Sequence, residues 1–282
     1  METKTKIATR KLVEGALMIA FATVLSMLKL AEMPYGGSIT VGSMLPMVIL
    51  AYRHGVGFGL GAGVVYAAIQ QLLGLNSLSY VTGWQSVLAV IILDYILAFT
   101  VVGLGGIFRG KIKNQSKEMA IGALLVCVLR YVLHTVAGCT VWAGLSIPTE
   151  AALIYSIGYN ATYMIPETIV TVVLAVYLCR LIDFTKQIPT RVKKEENLGG
   201  GDGILAPLSL TVLGIAAVGL VYDCIAIFPH LQEPEDGSFT FAYLGEVDWL
   251  SVIIVSSICV LAVIGYFLFK RVRSNMVSEE RE

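Results

Sequence analysis

Long apolar runs alternate with short polar segments along this chain. An apolar run of about 20 residues is the length of an α-helix that crosses a bilayer. The pattern predicts eight spans, at residues 12–31, 39–52, 55–74, 85–108, 118–143, 151–180, 204–228 and 249–269. The second span is short for a hydrocarbon layer of about 30 Å, and is predicted to be tilted or partly re-entrant.

The composition excludes an ordinary soluble domain. Charged residues make up 14% of the 282, against about 25% in globular proteins, and hydrophobic residues make up 56%. All five cysteines fall inside apolar runs without a CxxC pair, so they are interpreted as apolar packing residues, not metal ligands or disulfides. The chain carries no zinc, ATP-binding or catalytic motif. We therefore expect neither a metal nor a cofactor, and no enzymatic activity.

The distribution of charge predicts the orientation in the membrane. With the N-terminus inside, every basic residue except Lys29 and Arg130 falls in a cytoplasmic segment, and the outer loops carry acids instead. Because Lys and Arg in short loops set orientation, both termini are predicted to be cytoplasmic. Glu14 and Asp223 lie near span ends, where we expect water to solvate them.

The predicted class is all-α, a polytopic membrane helix bundle. Residues 1–185 are predicted to form a six-helix domain, and residues 186–203 a charged, glycine-rich cytoplasmic linker. Residues 204–282 are predicted to form a transmembrane hairpin of two helices with a cytoplasmic tail.

The third span carries a glycine at every second position from residue 55 to residue 63. These glycines form two interleaved GxxxG rows, and small residues let helix backbones approach closely in lipid. We expect tight packing inside the bundle, and the alternative is a moving or partner-facing surface.

Polar residues at membrane depth are costly and therefore carry functional information. At about 1.5 Å per residue, Asp94, His134 and Asn160 lie in one layer on three helices, roughly 13 Å below the outer surface. Arg130 and Glu167 lie deeper and are predicted to form a structural ion pair between the fifth and sixth helices. The shared layer indicates an outward-facing pocket, and an unpaired acid there favours a cationic or hydrogen-bond-donating ligand.

Several spaced motifs occur in the order found in one known family. They are residues 36–46 (GGSITVGSMLP), Leu93-Asp94-Tyr95 with Ala98-Phe99, His134 through Gly138 to Trp142, Tyr155, Tyr159-Asn160 and the run from Tyr163 to Glu167. Through them, residues 12–181 resemble the thiamine-specific S components of bacterial energy-coupling factor (ECF) transporters. The resemblance implies a six-helix protein of the bacterial cell membrane that takes thiamine from outside. A transmembrane coupling subunit and two cytoplasmic ATPase subunits would supply the energy.

The resemblance also implies roles for individual residues. Asp94, helped by Asn160, would hydrogen-bond the aminopyrimidine of thiamine, although some members of the family carry the longer Glu at this position. Trp142 would stack on a ring of the ligand with Tyr155 beside it. The residues implied to line the thiazolium and hydroxyethyl end are Tyr95, His134 and Gly138.

Two further features follow from the resemblance. The loop at residues 34–38 would be a lid, with Tyr35 as its aromatic residue. The small residues Ala16 and Ala20 of the first helix would face the coupling subunit. The C-terminal hairpin lies outside the pattern of the family, and the sequence does not decide its role.

Three alternatives stay open at this point. The same fold could bind a thiamine precursor such as its pyrimidine part. A membrane enzyme could use Asp94 and His134 as acid and base. A non-transporting scaffold could use the C-terminal hairpin for interaction. Thiamine uptake is the leading hypothesis, and nucleic acid is not expected as a partner.

Overall fold

The structure is a computed structural model that describes residues 4–33, 36–81, 83–142, 150–192, 202–231 and 242–279. Its helices are α1 (Lys4–Met27), α2 (Leu45–His54), α3 (Val56–Leu73), α4 (Trp84–Gly106), α5 (Gln115–Trp142), α6 (Glu150–Leu181), α7 (Asp202–Ile227) and α8 (Trp249–Glu279). Two short strand pairs join β1 (Lys29–Glu32) to β2 (Ser38–Thr40) and β3 (Ile182–Asp183) to β4 (Thr190–Arg191). Short 3₁₀ segments are Leu75–Tyr80, Phe228–Leu231 and Ala242–Glu246.

Within the described residues, six helical segments are long and apolar enough to cross a membrane. They lie in α3, α4, α5, α6, α7 with its 3₁₀ extension, and α8. The predicted class, a polytopic membrane helix bundle, is confirmed, and the short strand pairs are its only departure among the described residues.

The second predicted span is the one that the structure changes most. Residues 38–40 form β2, Gly42 turns the chain with φ +70°, and α2 begins at Leu45 with a proline in its first turn. At ten residues, α2 is about 15 Å long, half of a bilayer core. All of its residues from Leu45 to Arg53 are buried, so α2 is the centre of the bundle and not a lipid-facing span.

The glycines of α3 divide into two faces. A Cβ atom on Gly59 would lie 2.6 Å from the Gly103 carbonyl oxygen of α4, and one on Gly63 would lie 2.8 Å from that of Thr100. A Cβ atom on Gly57 or Gly61 would meet nothing within 4 Å. The row with Gly59 and Gly63 therefore provides the predicted close packing, and the row with Gly57 and Gly61 does not take part in it.

This division predicts opposite results for two matched substitutions. Gly59→Ala forces α3 away from α4 and should lower the free energy of unfolding by about 3 kcal/mol. Gly61→Ala places its methyl group in open space and should be neutral or stabilise the helix by up to about 1 kcal/mol. Thermal unfolding midpoints of both variants in one detergent test this, and equal midpoints would contradict the packing described here.

Buried Arg53 connects three parts of the chain. Its Nη2 donates to Glu14 Oε2 on α1 at 3.1 Å, and its Nε contacts Glu14 Oε1. The guanidinium also donates to the backbone carbonyls of Phe184, Lys186 and Gln187, each at 3.1 Å. The prediction that Glu14 is a solvated residue was wrong, since its side chain is only 18% exposed and is paired with this guanidinium.

The described residues form two compact units, the first ending at Thr190 and the second beginning at Arg191. In the second unit α7 and α8 pack closely, and a Cβ atom on Gly219 would lie 2.3 Å from the Cys259 sulfur. Asp223 is 8% exposed and accepts a 2.7 Å hydrogen bond from Ser256. The prediction of a solvated Asp223 was therefore wrong, because its side chain faces α8.

Candidate functional site

The first unit contains a cavity of about 420 Å³. Small-molecule pockets commonly measure about 300–1,000 Å³, so the cavity has room for a compact organic ligand. Of the predicted site residues, those that line it are Asp94, Tyr95, His134, Gly138 and Asn160. Arg130 and Glu167 line it as well. The structure thus brings together the polar layer that was inferred from depth along three helices.

Asp94 lies in a π-helical segment of α4, Val90–Leu97. Such wider turns inside α-helices recur at functional sites because they redirect side chains that a regular helix would place elsewhere. The Asp94 side chain is 33% exposed, and its Oδ1 accepts a hydrogen bond from His134 Nδ1. Its Oδ2 has no hydrogen-bond partner among the described residues, and so this oxygen is available to a ligand.

The two neighbours of His134 indicate which of its ring nitrogens donates a hydrogen bond and which accepts one. Arg130 Nη2 lies 3.3 Å from His134 Nε2. A guanidinium can only donate, so Nε2 accepts and the ring proton is on Nδ1, where it points to Asp94. The result is a neutral imidazole that holds the Asp94 carboxylate in place and connects it to a buried cation.

Arg130 and Glu167 do not form the predicted direct ion pair. The Arg130 guanidinium carbon lies 4.4 Å from the centre of the Phe99 ring, which attracts the cation. Glu167 instead accepts 2.6 Å hydrogen bonds from both the backbone N–H and the hydroxyl of Thr40, and a 3.4 Å bond from the Ser43 hydroxyl. Phe99, Thr40 and Ser43 are all distant in sequence from the charge that they contact. Depth along the helices does not predict such partners.

Gly138 and Asn160 meet across α5 and α6. A Cβ atom on Gly138 would lie 2.2 Å from the Ser156 hydroxyl and 3.4 Å from the Asn160 amide nitrogen. That nitrogen donates to the Ser156 carbonyl at 2.8 Å, and the amide oxygen accepts from the Tyr163 hydroxyl. The absence of a side chain at residue 138 therefore lets the two helices close on the polar layer.

Three tyrosines spaced four residues apart form an aromatic row on α6. The rings of Tyr155 and Tyr159 stack with centres 6.0 Å apart, and Tyr159 meets Tyr163 edge to face. Tyr159 and Tyr163 line the cavity, and Tyr155 continues the row beyond that lining. Of these three tyrosines, only Tyr155 was among the predicted site residues. The four-residue spacing was a visible signal that all three share one helix face.

Tyr95 lines the cavity, and its hydroxyl is held by two other residues that line it, Gly74 and Ser77. The hydroxyl donates to the Gly74 carbonyl at 3.0 Å and lies 2.7 Å from the Ser77 hydroxyl. The ring stacks on Phe99 with centres 6.1 Å apart. The hydroxyl of Tyr95 is therefore already engaged in hydrogen bonds within the protein.

Some predicted residues lie beyond what the structure describes. Tyr35 is outside the described residues, as is the side chain of Trp142 at the end of α5. Ala16 and Ala20 lie on an exposed face of α1. No contact in the structure tests their predicted roles.

A cationic group of a ligand can pair with the Asp94 carboxylate in the cavity wall. Two carboxylates, Asp94 and Glu167, line the cavity together with two cationic groups, the buried guanidinium of Arg130 and Lys29, and Lys29 is also paired with exposed Glu32. The aromatic faces nearby attract cations too. Among the described residues, no group of three or more His, Cys, Asp or Glu side chains could hold a metal ion.

Comparison with known protein families identifies the family of this chain. A family model described as "Thiamine transporter protein (Thia_YuaJ)" matches residues 12–186, well over half of the sequence. The chain belongs to this thiamine transporter family. It is a multi-pass membrane protein of a transporter family and not an enzyme, so the acid–base hypothesis for Asp94 and His134 was wrong.

Several relatives are similar over the same region. Thiamine transporter ThiT of Bacillus subtilis (strain 168) is 30% identical over 182 residues, covering 61% of this chain and 89% of the relative. Thiamine transporter ThiT of Lacticaseibacillus paracasei is 26% identical over 179 residues, covering 58% and 83%. A solved structure of ThiT from Listeria monocytogenes is 26% identical, covers 61% of this chain and 94% of its own, and has a TM-score of 0.49. The family match ends at residue 186, before α7 and α8.

Proposed function

We propose that this chain captures thiamine at the outer face of the bacterial cell membrane for import. The observation that carries the proposal is the cavity around Asp94, whose carboxylate is oriented by His134 and keeps one oxygen free of described partners. Thiamine combines an aminopyrimidine, which donates hydrogen bonds, with a permanently cationic thiazolium. Both halves match what the cavity offers.

The residues divide between the two ends of the ligand. Asp94, helped by Asn160, accepts hydrogen bonds from the aminopyrimidine. The thiazolium and hydroxyethyl end contacts Tyr95, His134 and Gly138. Trp142 and Tyr155 add aromatic contact, and Tyr35 closes the lid.

We propose that energy comes from an ECF module, namely a transmembrane coupling subunit with two cytoplasmic ATPases. The chain has no phosphate-binding motif of its own, and the exposed face of α1 carries Ala16 and Ala20 among apolar residues such as Leu17. Small residues on a lipid-facing helix suit close contact with another membrane helix. We propose that both termini lie in the cytoplasm, as the basic residues indicate.

We further propose that residues 1–185 form the binding unit, that residues 186–203 are a cytoplasmic linker and that residues 204–282 form a transmembrane hairpin.

A thiamine titration by calorimetry tests the ligand. Purified, ligand-free protein in detergent should bind one thiamine with submicromolar affinity in the absence of ATP. The isolated pyrimidine and thiazole halves should each bind far more weakly, because each makes only part of the contacts. Tighter binding of the pyrimidine half than of thiamine would favour a precursor transporter, and folded protein that binds none of the three would favour the scaffold alternative.

A further inference from the structure

A short segment after the first strand lies along one face of α6. The Gly37 N–H donates to the Tyr159 hydroxyl at 3.4 Å, and a Cβ atom on Gly37 would lie 2.6 Å from the Tyr163 ring. Farther along, a Cβ atom on Gly42 would lie 2.7 Å from Leu174. The residues touched on α6 are spaced three or four apart and follow the direction of the segment, so segment 36–43 runs along a single stripe of the helix; they are Tyr159, Tyr163, Glu167, Val170 and Leu174.

Glu167 is the polar centre of this stripe. It is 2% exposed and receives three hydrogen bonds from Thr40 and Ser43, two of them at 2.6 Å. Thr40 Oγ1 also accepts from the Ser43 N–H at 3.1 Å, so the hydroxyl connects the carboxylate to the turn that precedes α2. Hydrogen bonds to a carboxylate are about twice as strong as neutral ones, especially where water is excluded.

This contact is also a wall of the cavity. Gly37, Thr40 and Ser43 line the cavity on one side of the contact, and Tyr163 and Glu167 line it on the other. Separation of segment 36–43 from α6 would therefore open the cavity laterally.

We propose that Glu167 is a positioning residue that keeps segment 36–43 closed against α6 and thereby sets how long a ligand stays in the cavity. The inference rests on the proposed function for the identity of the ligand, thiamine. It does not need Glu167 to touch that ligand. Its effect belongs to the dissociation rate more than to the association rate, because the contact acts after the cavity has closed.

Thr40 allows a matched test. Thr40→Val has nearly the same shape but removes the hydroxyl, whereas Thr40→Ser keeps it. Thr171→Val is the control on the same helix, since Thr171 is fully buried and its hydroxyl has no hydrogen-bond partner among the described residues. Glu167→Gln provides a second variant that keeps size and removes the charge.

The first measurement is dissociation of radiolabelled thiamine from the purified full chain after an unlabelled chase. Thr40→Val and Glu167→Gln should dissociate about tenfold faster, the effect of losing one hydrogen bond to a charged group. The association rate should change much less. Thr40→Ser and Thr171→Val should behave as wild type. Equal dissociation from Thr40→Val and Thr40→Ser would overturn the proposal.

Hydrogen–deuterium exchange without ligand is a second readout that does not depend on thiamine. Backbone amides of residues 36–43 should exchange about tenfold faster in Thr40→Val than in Thr40→Ser, while α5 stays unchanged. Unchanged exchange in this segment would overturn the positioning role. If wild-type protein binds no thiamine, the proposed function fails, and the exchange experiment alone decides the role of Glu167.

Discussion

Replacing Asp94 by Asn should weaken thiamine binding about 100-fold or more. The carboxylate accepts from His134 Nδ1–H through one oxygen and keeps the other for the ligand. An Asn side chain has only one acceptor oxygen, and its NH₂ group would face either the imidazole N–H or the ligand amine. Truncating one partner of a buried charged hydrogen bond commonly costs about 2–5 kcal/mol, and each 1.4 kcal/mol is tenfold in affinity.

Calorimetric titration of the variant against wild type measures this loss. Asp248→Asn is the matched control, because Asp248 is an exposed residue that does not line the cavity, and its side chain accepts from nearby Ser251. It should bind thiamine as wild type does. Asp94→Glu keeps the charge and should retain much of the affinity. Wild-type affinity in a well-folded Asp94→Asn protein would remove the carboxylate from the ligand site.

Replacing Arg53 by Met should destabilise the first unit by about 4 kcal/mol. Removing one member of a buried ion pair leaves an uncompensated charge, which costs about 3–5 kcal/mol. Here the charge left behind is Glu14, which keeps only the contact with His54 Nε2 at 2.9 Å among its described ion-pair partners, and three carbonyl groups at residues 184 to 187 lose their donor as well. The size of Met rules out a large cavity as the cause.

Thermal unfolding of the purified variants in detergent measures the effect. Lys186→Met is the control, because the Lys186 side chain is 54% exposed and forms a 3.5 Å surface pair with Asp183, while its backbone carbonyl is kept in the variant. Such pairs contribute about 0–1 kcal/mol, so its midpoint should barely move. Glu14→Gln combined with Arg53→Met should cost less than the sum of the two single changes. A Lys186→Met midpoint as low as that of Arg53→Met would refute a special role for Arg53.

Much of the cavity could be predicted from the sequence because the number of residues from the end of a span gives the depth of a side chain in the membrane. Counting residues from the span ends placed Asp94, His134 and Asn160 in one layer above Arg130 and Glu167, and all three line one cavity. The cost of polar groups in lipid explains this success, since such residues turn toward the interior of a bundle. The helical boundaries of α3 and α4 were also within about two residues of the prediction.

The failures share a different cause, which is partner choice across long sequence separations. Glu167 takes its donors from a segment 127 residues earlier, and Arg130 lies over the ring of Phe99 on another helix. The ion pair was predicted because both charges lie deep in the membrane, where an unpaired charge is costly. Asp223 shows the same limit, because its burial depends on Ser256 of the other hairpin helix.

The short buried helix α2 has a consequence for how the protein reaches the membrane. With ten residues, one of them Arg53, the helix is too short and too polar to partition into lipid as an independent segment. During synthesis α2 precedes the helices that enclose it, so its final position has to await the arrival of α3, α4 and α5. Nascent chains that end before α5 should therefore leave α2 accessible to water-soluble labels, and insertion of this bundle cannot proceed strictly one helix at a time.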